Sequence, residues 1–333
     1  MDLPTHDDVR AARARIADRV VRTPMLRNPL LDELTGGTIL IKPELLQRTG
    51  SFKFRGATNA ILQLSEPQRG AGVVTHSSGN HGQAVACAAQ AVGARATVFM
   101  PADAPRIKQD STARWGAEIR HYDRATDDRE ALTRAYAAQT GAVLVPPFDH
   151  PHVIAGQGTL ALELAEDAAA AGLPMDALLV CTGGGGLIAG CGLAISGVSP
   201  ATRLYCVEPE GWDDTGRSLV AGERLANAPG GSLLCDALLA RMPGEITFEV
   251  NRRLLAGGVA VSDAEVLAAV AFAFLHLKLV VEPGGAVCLA ALLAGKFDAR
   301  GKVVGAVVSG GNVDPAVFSR ALAAEAGGGL AAD

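Results

Sequence analysis

Lysine is scarce in this chain. It occurs only at positions 42, 53, 108, 278, 296 and 302, and arginine supplies most of the positive charge. Few side chains are therefore available to form a Schiff base with a carbonyl group. A basic field is also lacking. The net charge is −5, and Lys and Arg are scattered rather than clustered, which argues against nucleic acid or a membrane surface as partner and for a small soluble substrate. The six cysteines form no CxxC pair and mostly sit inside apolar runs, which argues against a metal cluster or disulfide framework and points to buried thiols in a reducing compartment. No apolar run is long enough for a bilayer, since the longest, residues 266–275, is followed by His276 and Lys278. The N-terminal THDDVRAARARIADRV carries acids and arginines in a helical pattern, without the apolar centre of a signal peptide. A cytoplasmic protein is expected. There is no internal repeat and no low-complexity linker, and no large allosteric module is expected after Val313.

What is present is apolar residue and glycine. With 333 residues, 49% of them hydrophobic, and 39 glycines, the chain exceeds the size at which single cores usually divide, so two domains are expected. From Gly72, short β-branched runs (GVVTHS, ATVFMP, EIRHYD, AVLVPP) alternate with helical patterns, which implies βαβ units and a parallel sheet. A second set follows Pro147, with DALLVCTG, RLYCVEP and KVVGAVVSGGN as strands, and the N-terminal segment is expected to return to that later sheet. Asp314 and Pro315 suit the cap and first turn of a last helix. The terminal GGGLAAD is expected to fray.

Parallel sheets place ligand loops after the carboxyl ends of strands. SFKFRG, residues 51–56, holds Lys53 between Phe52 and Phe54, whose apolar neighbourhood suits a covalent amine; the plain alternative is a helix edge on a core. SSGNHG, residues 77–82, offers hydroxyls, an amide and backbone N–H groups at a helix start, fit for a carboxylate or phosphate, or simply a cap. TGGGGL, residues 182–187, lets a backbone close around phosphate oxygens; the plain alternative is a purely structural glycine turn. The same run fits a loose GxGxxA from Gly184 to Ala189 with Glu208 at the next strand end, so a nicotinamide-dependent dehydrogenase is a rival reading. VVSGGN, residues 307–312, places Ser309 in a glycine turn, where it could face a ring nitrogen or cap the turn. In VEPEGWDD, Glu208, the Trp212 carbonyl and Asp214 could ligate a hard cation such as Mg2+, although acidic loop residues are more often simply solvated.

In this order SFKFRG, SSGNHG, IAGQGT, GGGGL, VEP and SGGNVD resemble the fold-type II pyridoxal-phosphate enzymes, specifically the threonine/serine dehydratase and serine racemase group, over residues 23–313. The resemblance implies an α/β fold like the tryptophan synthase β chain, with each domain an open, twisted, mostly parallel sheet flanked by helices. It also implies a small domain, 65–148, inserted into a large one, 1–64 and 149–333, and a homodimer. Lys53 would then hold pyridoxal 5'-phosphate as a Schiff base, with Phe52 beside the ring and Asn80 on its phenolic oxygen. Gly183, Gly184, Gly185, Gly186 and Leu187 would receive the phosphate. Ser309 would meet the ring nitrogen with Glu282 nearby. Ser77, Ser78, Asn80 and His81 would take the substrate carboxylate, and Ser78 would work opposite the lysine in a racemase. The cation site of the group maps onto Glu208, Trp212 and Asp214.

The implied activity is deamination of a 3-hydroxy amino acid, by default L-threonine or L-serine, to a 2-oxo acid and ammonia. Serine racemization, or dehydration or racemization of 3-hydroxyaspartate, is the alternative on the same site. A non-catalytic amino-acid-binding regulator is a further reading, opposed by the intact lysine and glycine loop. Two departures bear on substrate choice. Ala237 stands where a TIADG-like loop has glycine, and Pro146 stands where relatives often have histidine. Arg129 could meet a second carboxylate, although an exposed, salt-bridging arginine is the commoner outcome.

Overall fold

The computed structural model describes residues 3–77 and 79–327. Ser78 and most of the expected frayed tail, residues 328–333, lie outside the described residues. The strands are β1 (Thr38–Pro43), β2 (Val73–His76), β3 (Ala96–Pro101), β4 (Glu118–Tyr122), β5 (Val143–Leu144), β6 (Ala177–Cys181), β7 (Arg203–Pro209), β8 (Leu255–Val261) and β9 (Val303–Val308). They form two sheets of orders β1-β9-β6-β7-β8 and β4-β3-β2-β5, with every pair of neighbouring strands parallel. The central strands are apolar without alternation and wholly buried, as in ALLVC of β6, because helices cover both faces.

The N-terminal strand does join the later sheet. β1 pairs with β9, Thr38 beside Val303 and Pro43 beside Val308, so segments far apart in sequence share one layer. The edge strand β8, LAGGVAV, has no counterpart in the sequence reading because two glycines break its β pattern. The glycines answer to packing. A methyl at Gly258 would stand 2.8 Å from Cys206 Sγ and 2.9 Å from Gly216 Cα.

One face of the large sheet is covered by helices Asp263–Phe272 and Pro283–Leu293, the other by Pro151–Ala170 and Gly186–Val198. The last two meet at Gly158 and Gly190, where a side chain on Gly158 would strike the Gly190 carbonyl. Against this layer lies a buried ionic network. Arg55 donates to Glu44 and Glu163 at 2.7 Å, and Lys42 donates to Glu163 and to the Thr23 carbonyl, also at 2.7 Å. Thr23 donates to Glu44 at 2.6 Å. Each charge is satisfied, and removing one partner of such a pair costs about 3–5 kcal/mol. Arg55 thereby fixes helix Lys53–Leu62, whose first residue is the suspected amine.

All six cysteines are free and buried. Among the described residues no helix is long and apolar enough to cross a membrane.

Candidate active site

The carboxyl ends of β2, β6 and β9 open on one cavity of about 880 Å³, mouth included, lined from both sheets. Lys53 enters it at the start of its helix. The preceding turn is tied to the turn after β9, since Phe52 N donates to the Ser309 carbonyl at 3.1 Å and Ser51 bridges Gly310. Lys53 Nζ lies 5.1 Å from the centre of the Phe52 ring and donates to the Pro147 carbonyl at 2.7 Å. Burial pulls its pKa down to about 8 against the opposing pull of Glu282, so a share of the amine is free base near neutrality.

The glycine loop follows β6. Thr247 Oγ1 donates to the Gly184 carbonyl at 2.8 Å and Asn251 Nδ2 to the Gly185 carbonyl at 3.4 Å. Holding those carbonyls outward turns the following amides, of Gly185 and Gly186, toward the cavity at the N-terminus of helix Gly186–Val198. Gly185 has φ +89°, and a side chain on Gly184 would overlap the Phe148 ring. Asp149 supports the arrangement by capping helix Glu245–Leu254, accepting from the amides of Glu245, Ile246 and Thr247 at 2.9, 2.9 and 3.1 Å. Nothing in the local sequence marks Asp149 for that role, because its partners lie about a hundred residues away.

Ser309 is buried and lines the cavity. Asn80, at the start of helix Asn80–Gln90, donates to Glu282 Oε1 and accepts from Asn312 Nδ2 at 2.9 Å. Glu282 is buried between Asn80 and Lys108, whose Nζ is 3.1 Å from Oε2. His81 donates Nε2–H to the Val145 carbonyl at 3.0 Å; burial, then the Lys53 charge, lowers its pKa to about 3, so the ring is neutral. Ser77 also lines the cavity, its hydroxyl accepting from the Gly79 amide at 3.0 Å.

Several residues that the sequence reading left unassigned join them: His76, Lys108, Phe148, Asp236 and Leu238. Arg129 lines the same cavity, half-buried, and enters no ion pair among the described residues, whereas the neighbouring Arg134 pairs with Glu130. The expectation of an exposed, salt-bridging Arg129 is thereby corrected. Beside it His76 is buried, with Nδ1 3.3 Å from Thr133 Oγ1 and a pKa lowered to about 4 by burial and then by the Arg129 charge. Ala237 also faces the cavity, while Pro146 does not and its neighbour Pro147 does.

Glu208, Trp212 and Asp214 stand apart, at the end of β7. Glu208 accepts from the amides of Thr215 and Gly216 at 3.0 and 2.8 Å and does not line the cavity of the glycine loop, where the dehydrogenase reading requires it. Asp214 Oδ1 accepts from Asn227 at 2.5 Å, and its buried Oδ2 has no hydrogen-bond partner among the described residues. Burial and the nearby Asp214 charge push Glu208 up to about 8, and burial pushes Asp214 up to about 6. The Trp212 indole donates to the Ser232 carbonyl at 2.7 Å, so only its backbone oxygen could serve a cation. Among the described residues no group of three or more His, Cys, Asp or Glu side chains could hold a metal.

The main cavity fits pyridoxal phosphate. It joins an amine of lowered pKa, amides at a helix N-terminus where no side chain could be placed, and a buried hydroxyl at Ser309. The chain is 44% identical over 314 residues to an L-threo-3-hydroxyaspartate ammonia-lyase of a Pseudomonas species, covering 94% of this chain and 97% of that one. It is 40% identical over 312 residues to a serine racemase of Schizosaccharomyces pombe, covering 94% and 95%. A solved threonine deaminase, from T.th., superposes with a TM-score of 0.87 at 43% identity, covering 93% of this chain and 99% of that one. Residues 16–310 match the family described as pyridoxal-phosphate dependent enzyme, and with a lysine, a glycine cradle and two parallel sheets in agreement, this chain belongs to that family.

Proposed function

We propose that this protein is a pyridoxal-phosphate ammonia-lyase acting on a 3-hydroxy amino acid with a second carboxylate, 3-hydroxyaspartate, in preference to threonine or serine. The observation that carries the reading is Arg129, a cation with no acidic partner among the described residues, facing the cavity that holds Lys53. An unpaired guanidinium in a partly desolvated cleft matches a carboxylate through charge-assisted hydrogen bonds. The relatives named for 3-hydroxyaspartate at 44% and 42% identity support it.

Lys53, the glycine loop, Phe52, Asn80, Glu282 and Ser309 would hold the cofactor, which when bound supplies the electron sink that acidifies the substrate α-carbon. Lys53, with its pKa near 8, takes the α-proton as a base matched to neutral pH. The loop of Ser77, Asn80 and His81 receives the α-carboxylate, and Arg129 the distal one. Ser309 presents a neutral hydroxyl where a carboxylate would stabilise positive charge, which favours prompt loss of the β-hydroxyl over other fates. The net reaction converts the hydroxy amino acid into the 2-oxo acid and ammonia. The test is a panel of D- and L-3-hydroxy amino acids scored for ammonia and for enantiomer ratio. Preference for serine or threonine overturns the substrate assignment, and racemization without ammonia overturns the lyase.

Glu208, Asp214 and the Trp212 carbonyl form a cation site in this reading, supported by the partnerless buried Asp214 Oδ2. Millimolar Mg2+ or Ca2+ then raises Tm by a few degrees and Asp214→Asn removes the response; an identical Tm with and without cation refutes the site. The protein works as a homodimer, supported by exposed Leu34, Phe274 and Leu275 on the segments that Asn28 ties together by donating to the His276 carbonyl. Light scattering is expected to give twice the chain mass, and a monomer at micromolar concentration contradicts it. Six buried free thiols support a cytoplasmic location.

A further inference from the structure

Lys108 is a fully buried cation that the mechanism does not use. It comes from helix Arg106–Arg114, which packs with the four-stranded sheet, yet its ammonium lies among residues of the other side of the cleft. Nζ donates to both carboxylate oxygens of Asp236 at 2.9 and 2.8 Å and stands 3.1 Å from Glu282 Oε2. Burial disfavours that ammonium, but Glu282 and Asp236 together outweigh the cost and hold it above its ordinary range.

Each contact leads to a different wall of the site. Asp236 begins the segment whose next residues, Ala237 and Leu238, line the cavity. Glu282 accepts from Asn80. The Lys108 stem runs under Gly79, where any side chain would collide with it, so the loop carrying Ser77 and Asn80 rests directly on its methylenes. One side chain thus fixes the loop from the small sheet against two acidic partners from the large side.

We infer that Lys108 is a positioning residue, an ionic clamp that sets where Ser77, Gly79 and Asn80 stand beside the cleft and so determines how tightly the substrate carboxylate is held. It rests on the function proposed above. The clamp has no covalent part, and its hydrogen bonds reach Glu282 and Asn80 but neither Lys53 nor the glycine loop, the covalent and phosphate anchors of the cofactor.

The experiment compares Lys108→Met, Asp236→Asn and the double variant with wild type. Lys108→Met keeps the stem under Gly79 and removes the charge. Asp236→Asn leaves Lys108 paired with Glu282 and so keeps a folded protein for the comparison. Two binding titrations are read: pyridoxal phosphate into the cofactor-free protein, and aspartate, which has both carboxylates but no hydroxyl, into the loaded protein by its absorbance change. Cofactor affinity, to which Asn80 and Glu282 also contribute, is expected to fall no more than severalfold, while aspartate binding and kcat/KM fall roughly 100-fold in Lys108→Met, the scale of a small misplacement of a positioned substrate. The double variant is expected to be no worse than the poorer single one, because both remove the same clamp. Losses that multiply in the double variant, or a lowered Tm with aspartate binding untouched, overturn the clamp. A wild type that binds no amino acid at all refutes the function itself, so the two failures are distinguishable.

Discussion

Lys53→Ala is expected to abolish ammonia release, by at least about 10⁴-fold, because on the proposed function it removes both the covalent anchor and the proton acceptor, and a single positioned base contributes about 10²- to 10⁴-fold. Two lysines line the cavity, and their surroundings separate them. Lys108 is held as an ammonium by Asp236 and Glu282 and has no free lone pair. Among the described residues Lys53 donates to the Pro147 carbonyl and lies over the Phe52 ring, with no acidic partner in hydrogen-bond reach, and its pKa near 8 leaves free amine to react. Borohydride reduction of the resting enzyme followed by digestion is therefore expected to place a pyridoxyl label on the peptide containing Lys53. A label on the Lys108 peptide, or undiminished turnover by Lys53→Ala, refutes the assignment.

Arg129→Met is expected to lower kcat/KM for 3-hydroxyaspartate on the order of 100-fold, since a hydrogen bond to a charged group contributes about 1.5–3 kcal/mol and here both partners are partly desolvated. The loss is expected to fall mainly in KM, because the distal carboxylate does not change charge during the reaction and is bound alike in ground and transition states. Serine and threonine have nothing to offer Arg129, so their turnover is expected to change little. Equal losses for serine and for 3-hydroxyaspartate would show that Arg129 supports the fold and not the choice of substrate.

Much of this site is written in short segments. Alternating runs from Gly72 onward announce parallel sheets because strand and helix periods are local properties of the chain. The strand-to-glycine turns at 182–187 and 307–312 announce ligand loops because few residues other than glycine allow a backbone to turn so closely. Lys53 is conspicuous because lysine is rare here and sits between two phenylalanines. The strand β8 escapes the same reading, since its glycines exist to admit Cys206 and Gly216 from neighbouring elements, and packing of that kind has no local signature.

Arg129, His76, Lys108 and Asp236 belong to the other category. In sequence they are an ordinary helix arginine, a strand end, a helix lysine and a loop acid, and only the folding of one sheet over the other brings them to a common cavity. Composition and spacing by themselves determined the kind of fold and singled out Lys53 and the glycine loop as candidates, because periodicity, turns and local crowding depend on neighbours within a few residues; their roles toward a cofactor came with the family resemblance. The tertiary structure alone decided which charges are neutralised and which face the cleft, because an ion pair such as Lys108 with Asp236 joins residues 128 positions apart and electrostatic partnership depends on distance in space.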